Sequence, residues 1–293
     1  MKTEQDKGAI FITGASTGIG RAAALQLDKL GYPVFASVRK KQDADDLQKA
    51  ASEKLKPVLM DVTDENSIAR ARDEIAGALG GGKLWGLVNN AGISFRAPLE
   101  YTPMADFRRL YDANVFGLLA VTQAFLPMLR QSRGRIVNVS SLTSLWVTPF
   151  HGIYSSAKMA VNGISEALRM ELLPLGVKVI LMIYGGVQTA LWDSAEKATT
   201  DLACRFPPEF NQLYAARQRR AFEYFASAGR KGLLPQQAAE PIVHALTAPN
   251  PKQIYLAGPG AIPASILSKL LPDSLKDRFK IKSMGLDQGE PLP

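Results

Sequence analysis

Tyr154 and Lys158 stand four residues apart in the segment Tyr154-Ser155-Ser156-Ala157-Lys158. That spacing places a phenol and an ammonium on one face of a helix. A neighbouring ammonium favours tyrosinate and so lowers a phenol pKa that is ordinarily about 10. The phenol then becomes a proton donor or acceptor near neutral pH. Far upstream, Thr13-Gly14-Ala15-Ser16-Thr17-Gly18-Ile19-Gly20 has the form of a glycine-rich turn from strand to helix, a place where the phosphates of a dinucleotide can rest. A proton donor beside a dinucleotide hydride carrier makes an oxidoreductase site. Each feature alone has a plainer reading: a solvated pair four apart, and a tight connection. Their order and the segments between them decide the matter.

The elements that must position these groups alternate along the chain. Apolar runs at Ala9–Thr13, Pro33–Val38, Lys56–Met60, Leu84–Val88, Arg135–Val139, Val177–Ile183 and Gln253–Leu256 are expected strands. Amphipathic stretches at Gly18–Leu30, from Asp64 towards Leu79, within Phe107–Arg130, at Ile153–Leu173 and at Gln236–Leu246 are expected helices. Such alternation implies an α/β fold, a doubly wound parallel sheet of about seven strands, Rossmann-like. Ligands of such sheets bind outside the carboxyl ends of the strands. The glycine turn, Asn89-Asn90-Ala91-Gly92 and Ser141 all fall there. The glycines divide the work: Gly14 permits the turn, Gly18 lets backbone approach the pyrophosphate, and Gly20 lets the helix pack close to the sheet.

Composition narrows the classes. A chain of 293 residues with 46% hydrophobic content can bury a large core. One cysteine, Cys204, excludes an intrachain disulfide and agrees with a reducing, cytoplasmic location. Two histidines, His151 and His244, leave little for a metal cluster, and no metal is expected. His151 is expected to be a plain loop residue, with the edge of the substrate site as the alternative. The N-terminal Met1–Lys7 is polar, without the apolar core of a signal peptide. No unbroken apolar run reaches the roughly 18 residues of a spanning helix. The net charge of +8 is scattered, with no basic stripe interleaved with aromatics. Nucleic acid is therefore not an expected partner, and attraction to anionic ligands is the simpler consequence.

The ordered set of Thr13–Gly20, Asn89-Asn90-Ala91-Gly92, Asn114-Val115-Phe116-Gly117, Ser140-Ser141 and Tyr154/Lys158 resembles the short-chain dehydrogenase/reductase family, densely over residues 8 to 190. Ser141 precedes Tyr154 by thirteen residues (154 − 141 = 13). The spacing Gly14-x-x-x-Gly18-x-Gly20 matches that family's variant of the dinucleotide fingerprint. The resemblance implies a catalytic group of Asn114, Ser141, Tyr154 and Lys158. Tyr154 would be the acid or base, Lys158 would lower its pKa and bond the nicotinamide ribose, and Ser141 would hold the substrate oxygen. Asn114 would hold the helix and a proton-relay water. The resemblance also assigns cofactor contacts to Gly14, Ser16, Thr17, Gly18, Ile19 and Gly20, and to Asp61-Val62 as the adenine-contacting pair, though Asp61 alone could simply cap a turn. Asn90, Ala91, Gly92, Tyr154, Lys158, Gly185, Val187 and Thr189 complete that set.

Val38 stands where NAD-preferring members carry Asp, and Arg39-Lys40-Lys41 follow. An arginine there accommodates the 2′-phosphate of NADP. NADP is therefore expected ahead of NAD, with Arg39 as the reader; a solvated basic loop is the alternative. After the sixth strand the family's Pro-Gly is replaced by Tyr184-Gly185, which loses a rigid φ and adds a phenol near the ring pocket.

Residues 1–260 are expected to form one catalytic domain, with an irregular substrate flap at about 190–230, and residues 261–293 a C-terminal extension. The flap's Trp192, Phe206, Phe210, Tyr214, Phe222, Tyr224 and Phe225, with Trp146, Val147 and Phe150, suit a hydrophobic, steroid- or lipid-like alcohol or ketone, or a retinol-type alcohol. The segment from Lys252 onward resembles the steroid- and retinol-dehydrogenase branch. Two other functions stay open: reduction of carrier-bound 3-oxoacyl groups, to which the positive charge would attract an acidic carrier, and a non-catalytic dinucleotide sensor. Ala160, Gly163 and Ala167 line one face of the Tyr154 helix, where a homodimer or homotetramer would pack in the family. In the tail Ile262, Ile266, Leu267, Leu270, Leu271, Leu275 and Phe279 recur at helical spacing, with Pro272 between two pieces. A docked lid is the favoured reading there, ahead of an interface or peripheral membrane contact.

Overall fold

The structure is a computed structural model that describes residues 8–287. The polar segment 1–7 and the last six residues of the extension lie outside the described residues. The strands are β1 (Ala9–Ile12), β2 (Val34–Val38), β3 (Leu55–Leu59), β4 (Leu84–Asn89), β5 (Arg135–Ser141), β6 (Lys178–Tyr184) and β7 (Ile254–Ala257). They form one sheet in the order β3-β2-β1-β4-β5-β6-β7, every neighbouring pair parallel. Strand order reverses between β1 and β4, which opens the crevice where ligands of such sheets bind. β1 and β2 are buried along their whole length because both faces are covered.

Helices α1 (Gly18–Lys29) and α2 (Lys41–Lys49) follow β1 and β2, and α3 (Glu65–Leu79) follows β3. The Asp64 side chain caps α3 by accepting from the Asn66 N–H at 2.9 Å, and Gly80 ends it in the left-handed region. Next come α4 (Met104–Tyr111), a π-helical turn at Asp112–Phe116, and α5 (Gly117–Ser132). This continuous run, Met104–Ser132, is long and apolar enough to cross a membrane by length and composition, but half of it is buried in the fold. Helix α6 (Gly152–Leu172) carries the Tyr-Ser-Ser-Ala-Lys segment, and α10 (Pro235–Thr247) lies against α1. One core, on the α1/α10 side, gathers Ile10, Ile12, Val137, Met182, Tyr184, Ile242 and Leu246; the other, on the α3/α5 side, gathers Phe11, Leu87, Phe125, Leu129 and Ile136.

The expected flap is ordered as helices, contrary to the irregular segment expected from sequence. It forms α7 (Leu191–Ala203), α8 (Glu209–Leu213) and α9 (Ala215–Arg230). Its aromatics pack on one another and on the body, as in Phe206–Phe210 at 4.8 Å and Phe150–Tyr214 at 6.2 Å between ring centres. Leu191, Ala195, Ala198 and Leu202 recur at helical spacing along α7, as do Ala221 and Phe225 in α9, so the helices are legible in the sequence. The tail is two helices, α11 (Ala261–Leu270) and α12 (Asp273–Ser283), separated at Pro272. It folds back: Phe279 meets Trp146 edge-on at 6.1 Å, Lys280 lies 4.9 Å over the same indole, and Met284 and Leu286 are buried with Ala221 and Phe225. Ile262, Ile266, Leu270, Leu275 and Phe279 nevertheless remain largely exposed.

Candidate active site

The glycine turn sits at the carboxyl end of β1 and is held by the end of β4. Thr13 Oγ1 accepts from the N–H groups of Asn90 and Ala91, both at 3.0 Å, and the Asn90 amide donates to the carbonyls of Thr13 and Gly14, both at 3.0 Å. Asn90 thus clamps the turn from behind. Gly14 (φ 66°) and Gly18 (φ 59°) occupy the left-handed region that glycine favours. A Cβ at Gly14 would meet the Ala91 Cα at 2.8 Å, and one at Gly18 would meet Thr189 at 3.0 Å. Side chains here would close the cradle, so bare backbone at these points fits the approach of a pyrophosphate to the start of α1. Thr17, exposed and extended, precedes α1, with Ser16 beside it and Ile19 packed on the core.

Arg39 follows β2 directly and is exposed. Two residues before it, Ser37 accepts the Gly14 N–H on its hydroxyl at 3.3 Å and the Ala15 N–H on its carbonyl at 2.8 Å. The arginine therefore stands near the rim of the glycine turn. Asp61 is less free. Its Oδ1 accepts from the N–H and hydroxyl of Thr63 at 2.9 and 2.8 Å, so it caps the turn before α3. Val62 packs with the core on that side and brings its carbonyl against Gly117.

The candidate catalytic residues Asn114, Ser141, Tyr154 and Lys158 converge on the carboxyl end of β5. Ser141 ends that strand, and its Oγ accepts from the Thr143 N–H and hydroxyl at 3.3 and 3.0 Å. Its hydroxyl is close enough to the Tyr154 phenol on α6 to bear on that group's acidity. The α6 helix is fastened under β5 by Ser140, which donates to Asn162 Oδ1 at 2.6 Å, while Asn162 Nδ2 donates to Ser144 at 2.8 Å. Lys158 is buried and donates from Nζ to the Val139 carbonyl at 3.0 Å. Asn114, buried in the π-helical turn, receives the Ile93 N–H at 2.8 Å and donates to the Ile93 carbonyl at 2.9 Å. Both ends of its amide are thus used to hold the loop after β4. A Cβ at Gly92 would lie 2.9 Å from Asn114 Oδ1 and 3.8 Å from Lys158 Nζ, so only glycine lets these side chains and the β4 loop meet.

The electrostatics correct one expectation. Burial pushes the Tyr154 phenol up to about 12, although the Ser141 hydroxyl and the Arg96 charge act to lower it. Burial also brings Lys158 down to about 8. In the chain by itself the desolvation of both groups outweighs the attraction inferred from their spacing. A negative group or a hydrogen-bonding ligand close to Lys158 would favour the ammonium, and the ammonium in turn tyrosinate.

Tyr184 leaves the site. Its ring is in the core and its hydroxyl donates to the Ala238 carbonyl at 2.5 Å. The phenol therefore fills space between β6 and α10, and the turn after β6 is carried by Gly185 and Gly186, whose Cβ positions would strike the carbonyls of Pro259 and Ala228. Val187 is buried and Thr189 half-buried beside Gly18.

Two residues of the site are not signalled by any sequence motif. His151 is buried, contrary to the expected plain loop histidine. It stacks on Tyr154 at 4.7 Å with 9° between rings, and its Nε2 is 3.2 Å from the Ser94 hydroxyl. It follows Phe150, a non-glycine residue at φ 63°, a strained conformation of the kind found at functional positions. Burial, with the Arg96 charge, keeps its pKa well below the ordinary 6.5, so the ring is neutral. Arg96, also buried, lies beneath the flap with its guanidinium over Trp192, Phe222 and Phe225. The period of a strand or helix could have flagged neither, since both stand in loops.

Comparison with known proteins agrees with this geometry. The pattern of the family described as short chain dehydrogenase matches residues 8–200. Estradiol 17-beta-dehydrogenase 2 of Rattus norvegicus is 36% identical over 263 residues, covering 86% of this chain and 68% of that protein. Retinol dehydrogenase 16 of Mus musculus is 35% identical over 282 residues, covering 92% and 88%. In fold, the chain is similar to a short chain dehydrogenase/reductase from Burkholderia phymatum solved in complex with NAD, with a TM-score of 0.74, 24% identity and full coverage of both chains.

Proposed function

The chain belongs to the short-chain dehydrogenase family, and from that premise we propose that it interconverts a secondary alcohol and a ketone, or a retinol-type alcohol and its aldehyde, on a hydrophobic steroid- or lipid-like body, using NADP(H). The observation that carries the reading is the Ser141–Tyr154–Lys158 group, enclosed between the end of β5 and a flap lined with aromatic rings. The backbone at Gly14–Gly20 and the Thr189 side chain fit a nicotinamide dinucleotide, which supplies or accepts hydride when bound.

The residues of the chain do the rest. Ser141, fixed by its two bonds from Thr143, holds the substrate oxygen. Tyr154 gives its proton to that oxygen in the reducing direction and takes it back in the oxidising direction. Lys158, tethered to the Val139 carbonyl 3.0 Å away, brings a positive charge to bear on the phenol. The flap excludes water, which strengthens these interactions. Arg39 favours the 2′-phosphate through a charge-assisted contact. A screen of hydrophobic alcohols and ketones, followed by cofactor absorbance with NADPH and NADH in parallel, tests the proposal. Turnover of such substrates, faster with NADPH, supports it; no turnover of any hydrophobic alcohol or ketone with either cofactor rejects it.

A further inference from the structure

Arg96 is an unusual buried charge among the described residues. It lies between β4 and α4, is 3% exposed, and is pinned under the flap by its own N–H, which donates to Thr199 Oγ1 at 2.9 Å. Its guanidinium carbon is 5.0, 5.4 and 4.8 Å from the ring centres of Trp192, Phe222 and Phe225. Its Nε has no hydrogen-bond partner, and among the described residues no carboxylate forms an ion pair with it. Of the ionisable groups that act on it, Tyr154 has the larger effect, and Glu196 acts only from a distance, on the exposed side of α7. Phe225 links it to the catalytic group: the same ring lies 4.9 Å from His151, which stacks on Tyr154. His151 Nδ1 also lacks a partner. A buried cation with aromatic cover and no ion-paired carboxylate thus stands one ring away from His151 and Tyr154.

Burying an unpaired charge costs several kcal/mol. Contacts with aromatic faces offset part of that. Burial brings Arg96 down to about 10, so it remains charged at neutral pH. Rings take the faces of a guanidinium, while its donors point out along the edges in a fixed fork. A planar carboxylate matches that fork with two parallel hydrogen bonds. A single negative charge also balances a single cation, whereas a doubly charged phosphate would leave excess charge against apolar walls.

We propose that Arg96 recognises a carboxylate on the substrate, so that the preferred alcohol or ketone is a hydrophobic acid whose charged end is read beneath the flap. This rests on the reading of the space beneath the flap as the site of a hydrophobic alcohol or ketone. The test uses the cofactor-loaded enzyme, with decanoate and methyl decanoate as probes, measured by calorimetric titration and by competition against an active ketone from the screen. Wild type should bind decanoate about tenfold or more tightly than the ester. Arg96→Met should abolish that difference, and Arg96→Lys should retain part of it, because the charge remains and the fork is lost. The ratio of kcat/KM for an active keto acid over its methyl ester should fall in parallel. Equal affinity for acid and ester in wild type, binding of neither, or a preference that survives in Arg96→Met would each overturn the inference. If Arg96→Met fails to fold, full retention of the preference in Arg96→Lys overturns it and partial loss supports it. Turnover of neutral ketones without any preference for acids defeats this inference alone. Decanoate binding that depends on Arg96, in an enzyme that turns over no hydrophobic alcohol or ketone, defeats the functional reading instead.

Discussion

Replacing Lys158 by methionine should abolish turnover and yet make the protein more stable at neutral pH. Lys158 is buried, and burial lowers its pKa from 10.5 to about 8. Its folded pKa lies below the unfolded one, so the stability tied to this group is present in full above 10.5 and lost as pH falls through about 8. The gap of about 2.5 pH units corresponds to about 3 kcal/mol, at about 1.36 kcal/mol per unit. Methionine has a similar length and no charge to desolvate. It gives up the hydrogen bond to the Val139 carbonyl, worth about 1 kcal/mol. Lys158→Met should therefore be about 2 kcal/mol more stable than wild type at pH 7, with the advantage vanishing towards pH 10. Urea unfolding of both proteins without cofactor, at intervals between those pH values, measures the difference. The Tyr154 phenol, whose pKa is raised to about 12, contributes stability that is present below 10 and lost as pH rises through 12, outside that window. A variant less stable than wild type at pH 7, or an advantage that does not shrink with pH, would refute the claim that burial dominates this lysine.

Tyr154→Phe should keep the fold, because the ring still packs with Phe95, Val115 and Ile153 and stacks on His151; kcat should fall by about 10² to 10⁴ with cofactor affinity intact, and retention of more than about a tenth would assign proton transfer to another group. Arg39→Ala should weaken NADPH binding by about 1.5–3 kcal/mol and leave NADH nearly unchanged, and equal losses in titration would remove the phosphate-reading role. Truncation after Gly260 strips Phe279, Met284 and Leu286 from Trp146 and the flap. It should raise KM for bulky substrates more than for small ones; intact kinetics with lost binding to anionic vesicles would make the tail a membrane contact. A homodimer is expected through α6, where Gly163 is open on the single chain and Met159 and Met170 are exposed; sedimentation as a monomer at micromolar concentration would exclude it.

Local spacing carried most of the fold and brought the candidate catalytic residues together. Gly14 and Gly18 declare a turn because their left-handed backbone favours glycine, Gly20 because a side chain there would strike Asn90 and the Gly14 carbonyl, and a four-residue step puts Tyr154 and Lys158 on one helix face whatever surrounds them. The alternation of apolar runs gave seven strands within a residue or two of their observed ends. The extension of β5 to Ser141 is a difference of this kind. Three things needed the tertiary structure. The flap's rings pack on one another and on the body across several elements, a contact pattern that no local period specifies. Tyr184 is a core residue because a carbonyl from α10, 54 positions away, meets its hydroxyl. Burial shifts Tyr154 and Lys158 towards their neutral forms, and Phe225 of α9 covers both Arg96 and His151 beside them. Spacing fixes which groups face one another; how much water is left around them is set by chain brought in from elsewhere, and that decides which charges the site can hold.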